Sequence, residues 1–514
     1  MSVYVAILAI AAIDAIFIVL SQTALWQRKE YRIDRMRAYI NSPELDMKQV
    51  GIWIIATILA ALGFWYMACS LVSMLVLLAA YALRATTRGI FRPKLTARSI
   101  AVTGIALASI LLLIAFVPSA ALIAFVVVLS PVINALVVGI ITTPAMLKKR
   151  SVISKAISYR KNLTGLTVIG ITGSVGKTST KTYALHILEG DTREVIATQA
   201  HRNSPYVVAI DMITRVTAAT STYIAELAAY RPGEIEELCS IVQPSIGVIT
   251  AITNQHVAMF GSLERLARTK WELAEALPAQ GTLILNKDDK NITALAHEAK
   301  QQILWYSMRE QADVAFEHIA LHIDHTQCDL VINNQRQHVD ISIVSRGQLG
   351  SVLAACAIGF ARGMSVSEIA TRLSTLPRLE KTMEYRKLLH GAVIIDDSYS
   401  ASEASVINAI EYLREVGDEK SLLILVPIIE LGSEGAIVHE RIGKALAEVP
   451  FQVMIYGNAY KTDIVRGLEG AISNNIAWYT DPKILTHEIE EIRTAKNIIV
   501  IEGRVPKSTY NALI

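Results

Sequence analysis

Three long apolar blocks fill most of the first 150 residues and limit the possible folds more than any other feature of the chain. They span residues 3–20, 51–83 and 99–141, and Pro118 lies near the middle of the last one. The first block is long enough for one membrane-spanning helix. Each of the others is too long for one span and suits two short spans joined by a tight turn. The sequence therefore predicts a transmembrane region of about five helices.

Clusters of Lys and Arg follow the first, third and fifth predicted spans, so they all fall on one side of the membrane. The positive-inside rule makes that side cytoplasmic and predicts a multi-pass protein of the cell membrane whose remaining residues face cytosolic ATP. A cleaved signal peptide is the alternative for the first block, but no Lys or Arg precedes it and no small-residue cleavage site follows it. The basic clusters are Arg28, Lys29, Arg32, Arg35, Arg37 and Lys48; Arg84, Arg88, Arg92, Lys94 and Arg98; and Lys148, Lys149 and Arg150.

Charge and cysteine content argue against two other classes of protein. A net charge of +3 over 514 residues is too small to indicate a nucleic-acid partner. The four cysteines show no C-x-x-C spacing, which predicts buried thiols in a reducing compartment rather than a zinc site.

The stretch GITGSVGKTSTK lies between the apolar run LTVI and a helix-like segment. In a phosphate-binding loop of this kind, Gly173 and Gly176 let backbone N–H groups approach a triphosphate. Lys177 reaches the β- and γ-phosphates, and Thr178 holds Mg²⁺. The full G-x-x-x-x-G-K-[ST] pattern has glycine where this chain has Ile171, so the loop is a shorter form. The predicted ATP-binding loop comprises Gly173, Ser174, Val175, Gly176, Lys177, Thr178 and Ser179.

The remaining chain alternates strand-like and helix-like segments. From about residue 160 it repeats an apolar run, a turn and an amphipathic helix, which predicts β-α-β units around a parallel sheet. The runs GAVIIDD, SLLILVP, FQVMIYG and NIIVIEG predict a second, smaller doubly wound sheet after a linker near STLPRLEKT. The predicted fold class is α/β, with a helical transmembrane region at 1–150, a P-loop domain at 151–374 and a Rossmann-like domain at 375–514.

The phosphate loop and the segments after it resemble the Mur ligases, which use ATP to join an amine to a carboxylate. GSVGKTSTK is similar to the ATP loop of that family. IAELAAYRPGEIEEL and PSIGVITAITNQHVAMFGSLERLARTKWEL are similar to two blocks of its D-alanyl-D-alanine-adding member. LILNKDD, RLE, IIDDSYSASEAS and ELGSEGAIVHERIG follow in the family's order, so the resemblance covers about residues 165–510. It implies that the two cytoplasmic domains are the central and C-terminal domains of a Mur ligase.

Further site residues are implied by this resemblance. Glu226 ends a predicted strand and, as a hard oxygen ligand, also suits Mg²⁺ on chemical grounds. The resemblance makes His256 a ligand of a second Mg²⁺ and matches Lys270 to a lysine that many members carry as a carbamate bridging metal ions. Lys177, His256 and Lys270 are then the catalytic residues, and Thr178, Glu226, His256 and Lys270 the metal ligands. Nucleotide contacts are implied for Asn286, Arg378, Asp397 and Tyr399.

Several motifs depart from the family pattern. The family's first domain, which binds the nucleotide sugar, has no counterpart in the sequence, because the apolar region ends about twenty residues before the phosphate loop. Gly347 and Gln348 stand where the pattern has His and Asn, and IEGRVPK lacks the usual K-G-S. These departures concern the nucleotide-contacting and substrate-side blocks.

The predicted function is a membrane-anchored, ATP-dependent ligase that forms an amide through an acyl phosphate on a peptidoglycan precursor. The bilayer concentrates lipid-linked molecules, so the precursor is expected to be lipid-linked, unless a separate protein presents a soluble muramyl-peptide. The amine is an amino acid or a dipeptide. Two alternatives stay open: a P-loop ATPase that drives membrane transport, because VIIDD imitates a Walker B strand, and a catalytically inactive Mur-like scaffold.

Overall fold

The computed structural model describes residues 2–513 except 30, 32, 41–46, 89–91, 190–193, 200–202, 254–259, 389–391, 400, 429, 430, 432, 433, 448 and 469–474. It divides into two compact units, Met1–Ser151 and Val152–Ile514. The helices that begin in the first unit are α1 (Ser2–Arg28), α2 (Ile33–Ile40), α3 (Met47–Leu62), α4 (Met67–Arg88), α5 (Ala97–Phe116) and α6 (Ala120–Lys161).

The first unit packs its helices through small side chains. Alanines are fully buried in the interfaces between the helices, which lets neighbouring backbones approach closely. Large apolar side chains such as Ile58, Leu112 and Leu136 are exposed on the outside of the unit. Among the described residues, three helices are long and apolar enough to cross a membrane: Tyr4–Arg28, Ala97–Phe116 and Ala120–Lys161. Two shorter apolar helices are Val50–Leu62 and Met67–Leu83, so the number of five spans stays a prediction.

The second unit contains two sheets. The strands of the first are β1 (Thr167–Thr172), β2 (Glu194–Ala197), β3 (Thr220–Glu226), β4 (Ile246–Ile249), β5 (Thr282–Asn286), β6 (Gln302–Ser307), β7 (Val314–Leu321), β8 (Thr326–Ile332) and β9 (Gln335–Ile341). Its helices are α7 (Lys177–Leu188), α8 (Pro205–Arg215), α9 (Glu234–Val242), α10 (Leu263–Ala276), α11 (Lys290–Leu295), α12 (Arg346–Ala361) and α13 (Val366–Leu373).

The strand order of the first sheet is β2-β3-β1-β4-β5-β6-β7-β8-β9. Strands β1 to β6 are parallel, and β7 to β9 extend the sheet as an antiparallel meander. Strand β1 lies between β3 and β4, so the loops that follow these three strands meet at one carboxyl edge. In parallel α/β sheets this edge is where ligands bind.

The second sheet is smaller and has the order β10-β11-β15-β12-β13-β14. Only β10 is antiparallel to its neighbour. Its strands are β10 (Glu384–Lys387), β11 (Val393–Asp397), β12 (Leu422–Leu425), β13 (Gln452–Tyr456), β14 (Ile476–Tyr479) and β15 (Ile498–Glu502). Its helices are α14 (Glu403–Val416), α15 (Gly435–Leu446), α16 (Lys461–Gly467), α17 (Pro482–Ile492) and α18 (Lys507–Leu513).

Helix α12 brings the two sheets together. Most of its side chains are buried, because it packs on α7 and the first sheet. At its N-terminus, a Cβ atom on Gly347 would lie 2.2 Å from Nδ2 of Asn408 on α14. Gln348 donates a hydrogen bond to the carbonyl of Thr382 in the linker (2.6 Å), and Arg346 forms an ion pair with Glu415. The departures from the family motif at 347 and 348 therefore lie where α12 contacts the C-terminal sheet and its linker.

Candidate active site

The loop between β1 and α7 has a conformation that only glycine tolerates at two positions. Gly173 has φ of +149°, and a Cβ atom there would lie 2.1 Å from Oγ1 of Thr250. Gly176 has φ of +82° and lies against Ser351, whose Oγ would be 3.0 Å from an added Cβ. The loop backbone therefore packs closely on its neighbours and continues directly into the N-terminus of α7, as an anion-binding loop requires.

The residues that directly follow β4 hold this loop in place through hydrogen bonds. Oγ1 of Thr250 donates a hydrogen bond to the carbonyl of Val175 (2.6 Å), and the backbone N–H of Ser174 donates to the carbonyl of Ala251 (2.7 Å). The hydroxyl of Ser174 accepts from the N–H of Thr253 (3.2 Å). Thr250 was not predicted as a site residue from the sequence. A threonine directly after a buried strand could have indicated it. These contacts pre-form the loop.

Lys177 lies across the loop. Its Nζ donates hydrogen bonds to the carbonyls of Gly173 (2.8 Å) and Ser174 (2.9 Å). Burial lowers the pKa of this ammonium, and the nearby charge of Glu226 opposes that effect. The lysine charge is therefore held over the loop, where sequence analysis expects the phosphates.

Glu226, at the end of β3, is a buried carboxylate with several hydrogen-bond donors. Its Oε2 accepts from Nζ of Lys181 (2.8 Å) and from Oγ1 of Thr178 (3.1 Å), and its Oε1 accepts from Nδ2 of Asn203 (3.1 Å). Burial by itself raises the pKa of Glu226. The charge and hydrogen bond of Lys181, the hydrogen bond of Asn203 and the charge of Lys177 outweigh it and lower the pKa below its ordinary value. Thr178 and Glu226, both predicted metal ligands, therefore lie side by side.

Lys270 projects from α10 and is 4% exposed. Burial, and to a lesser degree the charge of Lys177, lower the pKa of its ammonium to about 7. Its Nζ lies 5.9 Å from the centre of the Phe260 ring. A buried lysine with so low a pKa is partly neutral at physiological pH, which suits a reactive amine. His256, the other predicted metal-site residue of this region, lies outside the described residues.

The end of β5 joins the same edge. Nδ2 of Asn286 donates a hydrogen bond to the carbonyl of Thr250 (3.0 Å), the residue that fastens the phosphate loop. Asp289, three residues later, accepts a hydrogen bond from the N–H of Ile252 (2.6 Å). The structure thus places Asn286 beside Thr250, which holds the phosphate loop. Ser179, the last predicted loop residue, lies in the first turn of α7.

The three predicted nucleotide contacts of the C-terminal part lie in the linker and the second sheet. Arg378 donates to the carbonyls of Ser342 (3.2 Å) and Asp324 (2.9 Å), and its guanidinium lies 4.5 Å from the centre of the Tyr385 ring. Asp397 is buried at the end of β11. Tyr399 follows it with an exposed side chain. Their roles at the nucleotide stay predictions.

Asp397 has a neighbour that the sequence did not reveal. It lies opposite Glu502 in the register of β11 and β15, and both carboxyl groups are buried. Oγ of Ser405 donates to Oε1 of Glu502 (2.7 Å). Burial, followed by the charge of Asp397, raises the pKa of Glu502 well above its ordinary value. Burial, and the charge of Asp396, raise that of Asp397 to about 6.

Comparison with known proteins gives a consistent result. Residues 171–359 match the model of the Mur ligase middle domain. UDP-N-acetylmuramoyl-tripeptide--D-alanyl-D-alanine ligase of Mycobacterium tuberculosis H37Rv is 28% identical over 366 residues, which cover 69% of this chain and 70% of the relative. The enzyme of the same name from Bacillus subtilis is 26% identical over 350 residues, which cover 68% of this chain and 75% of the relative.

Solved structures show the same fold. MurF from Acinetobacter baumannii is similar with a TM-score of 0.63 at 23% identity, covering 71% of this chain and 79% of that one. MurF ligase from Thermotoga maritima in complex with ADP has a TM-score of 0.61 at 22% identity, covering 71% of this chain and 82% of that one. These similarities confirm the predicted α/β fold class. Residues 171–359 are therefore a Mur ligase middle domain, and the Mur ligases to which the chain is similar are ATP-dependent ligases that form carbon–nitrogen bonds.

Proposed function

We propose that this chain is a membrane-anchored ligase that uses ATP to join an amine to a carboxylate of a peptidoglycan precursor. The observation that carries the proposal is the convergence of Lys177, Thr178 and Glu226 at the carboxyl edge of the first sheet, with the buried Lys270 close enough for its pKa to respond to Lys177. These residues combine an anion-binding loop with hard oxygen ligands for a metal ion, and phosphoryl transfer requires both.

The loop residues fit a triphosphate. Gly173 has no room for a Cβ atom, Gly176 has a positive φ, and the ammonium of Lys177 lies over the loop. We infer that Lys177 binds the β- and γ-phosphates, assisted by the N-terminus of α7. Thr178 and Glu226 provide the oxygen ligands that Mg²⁺ prefers, and Mg²⁺ there would neutralise part of the charge that builds up when a phosphate meets a carboxylate. A second ion is proposed at His256 and Lys270.

In the proposed reaction, an acceptor carboxylate oxygen attacks the γ-phosphorus of ATP, the bond to the β,γ-bridging oxygen breaks, and ADP leaves. The amine then attacks the carbonyl carbon of the acyl phosphate. Phosphate leaves with the electron pair of the carbon–oxygen bond, and the amine nitrogen loses a proton to give the amide. Lys177 would hold the transferred phosphate in line, which is the positioning on which such reactions depend.

The environment of Lys270 supports its modification as a carbamate. Carbon dioxide reacts only with a neutral amine, forming a carbamate and releasing a proton. A pKa of about 7 leaves much of the Lys270 population neutral at physiological pH. The product is an anion, which would turn a buried cation into an oxygen ligand beside the positive charge of Lys177.

The relatives and the apolar helices together support the substrate and the location. The curated relatives are named for a UDP-N-acetylmuramoyl-tripeptide acceptor and a D-alanyl-D-alanine amine. Three helices in the part of the chain that the structure describes are long and apolar enough to cross a membrane. We infer a muramyl-peptide acceptor that is itself lipid-linked, because a membrane anchor raises the local concentration of such an acceptor.

The test uses purified full-length protein in detergent, supplied with ATP and Mg²⁺. Release of ADP and phosphate should require both an acceptor and an amine. Acceptors are UDP-linked and lipid-linked muramyl-tripeptides, amines are D-alanyl-D-alanine and single amino acids, and the product is identified by its mass. Lys177→Met should abolish product formation, whereas Lys290→Met, which removes an exposed lysine of α11, should leave it unchanged.

Two outcomes would contradict the proposal. Hydrolysis of ATP at the same rate without acceptor and amine would indicate an ATPase of another kind. A wild-type protein that binds ATP but forms no product with any acceptor would indicate an inactive scaffold.

A further inference from the structure

Lys181 lies one helical turn beyond Lys177 on α7 and is bound to the carboxylate proposed as a magnesium ligand. Its Nζ lies 2.8 Å from Oε2 of Glu226, and the two side chains are only 5% and 4% exposed. No motif considered in the sequence analysis gives this lysine a role. A buried ion pair contributes little net stability as a rule, so its position beside a ligand site suggests another use.

The Glu226 carboxylate accepts three hydrogen bonds in the described structure. Lys181 and Thr178 both donate to Oε2, and Asn203 donates to Oε1. A cation bound at Oε2 needs the same lone pairs that these donors occupy. A divalent cation therefore competes with the ammonium of Lys181 for this oxygen.

The local charge favours the ammonium over a lone metal ion. Lys177 and Lys181 bring two positive charges against the single negative charge of Glu226. A dication that arrives alone adds to this positive excess. A metal–nucleotide complex instead brings more negative charge than positive, so its phosphates compensate both lysines.

We propose that Lys181 is a positioning residue that holds Glu226 against Thr178 and keeps divalent cations out of the site until they arrive bound to a nucleotide. The consequence is an obligatory order, in which metal and nucleotide enter together. This inference rests on the proposed function, because it takes Glu226 as a metal ligand.

The test measures binding of Mn²⁺, a paramagnetic substitute for Mg²⁺, to the full-length protein in detergent. The electron paramagnetic resonance signal of free Mn²⁺ reports binding without any turnover. We expect the wild-type protein to bind Mn²⁺ weakly without nucleotide and at least about tenfold more tightly with ADP, since the phosphates supply the missing negative charge.

Two variants of Lys181 isolate its charge. Lys181→Gln keeps a hydrogen-bond donor toward Glu226 but removes the charge, and should bind Mn²⁺ without nucleotide at least about tenfold more tightly than the wild type. Lys181→Arg keeps the charge and should bind Mn²⁺ as weakly as the wild type. Lys290→Met is the matched control for loss of an exposed lysine. Should Lys181→Gln fail to fold, the comparison of wild type with Lys181→Arg and with ADP still tests the order of binding.

The outcomes separate this inference from the proposed function. Unchanged Mn²⁺ affinity in folded Lys181→Gln, or strong Mn²⁺ binding by the wild type without nucleotide, would overturn the inference even if the protein is an active ligase. Tighter binding in Lys181→Gln that is lost in Lys181→Gln/Glu226→Gln would support it even if no ligase product is found.

Discussion

Replacing Asp397 by asparagine should weaken the pH dependence of stability in the C-terminal sheet. In the wild type, Asp397 and Glu502 are buried opposite each other on β11 and β15, and the pKa values of both are raised. The folded state therefore binds more protons than the unfolded state, so the free energy of unfolding falls as the pH rises above about 4. The loss through Asp397 is complete once the pH exceeds about 6. The loss through Glu502 continues at higher pH.

The size of the effect follows from the pKa of Asp397. A rise from 3.8 to about 6 corresponds to about 3 kcal/mol of unfolding free energy, at about 1.4 kcal/mol per pKa unit. In Asp397→Asn the side chain no longer titrates, so this loss is removed. The variant should match the wild type near pH 3 and unfold roughly 6–12 °C higher at pH 8.

Thermal unfolding of the full-length protein, followed by tryptophan fluorescence, measures this difference. Trp478 on β14 is the only tryptophan after residue 374 and reports on the second sheet. Glu490→Gln, which changes an exposed glutamate on α17, is the control and should leave the pH profile unchanged. An Asp397→Asn variant that is less stable than the wild type at pH 8 would refute the reasoning, because it would mean that the charged form of Asp397 stabilises the fold.

Two further predictions concern the first sheet. Gly173→Ala should weaken nucleotide binding at least about 100-fold, because the new Cβ atom would lie 2.1 Å from Oγ1 of Thr250 in a backbone conformation unfavourable for alanine. Fluorescent-nucleotide titration measures it, and Gly165→Ala, with open space around the added Cβ, should bind normally. With ¹³C-labelled bicarbonate at pH 8, the wild type should show a carbamate carbon resonance that Lys270→Arg lacks, since an amine with a pKa of about 7 is largely neutral at that pH. A carbamate signal that persists in Lys270→Arg would refute the assignment.

The phosphate loop was predictable because its geometry is local. Gly173, Gly176, Lys177 and Thr178 follow one another closely, and a strand, a tight turn and a helix N-terminus fix their positions with little help from the rest of the chain. The alternation of apolar runs and helices likewise gave the two sheets, since that periodicity is set by what each segment must bury.

Contacts between strands were not predictable in the same way. Thr250 reaches the loop from β4, and Glu502 meets Asp397 from a strand more than a hundred residues later in the chain. Such pairs depend on strand order, and β15 inserts between β11 and β12. Only the packing of the whole sheet decides that order, so the local spacing of residues in the sequence does not predict it.

The sequence by itself determined that the chain has an apolar helical region, a nucleotide loop and an α/β architecture of the Mur ligase type. Each of these features follows from the pattern of contiguous residues. Only the tertiary structure decided that Lys181 neutralises Glu226 and that Gly347 leaves room for Asn408 of α14. Charge pairing and steric fit act between atoms that folding brings together, and the residues concerned are 45 and 61 positions apart in the chain.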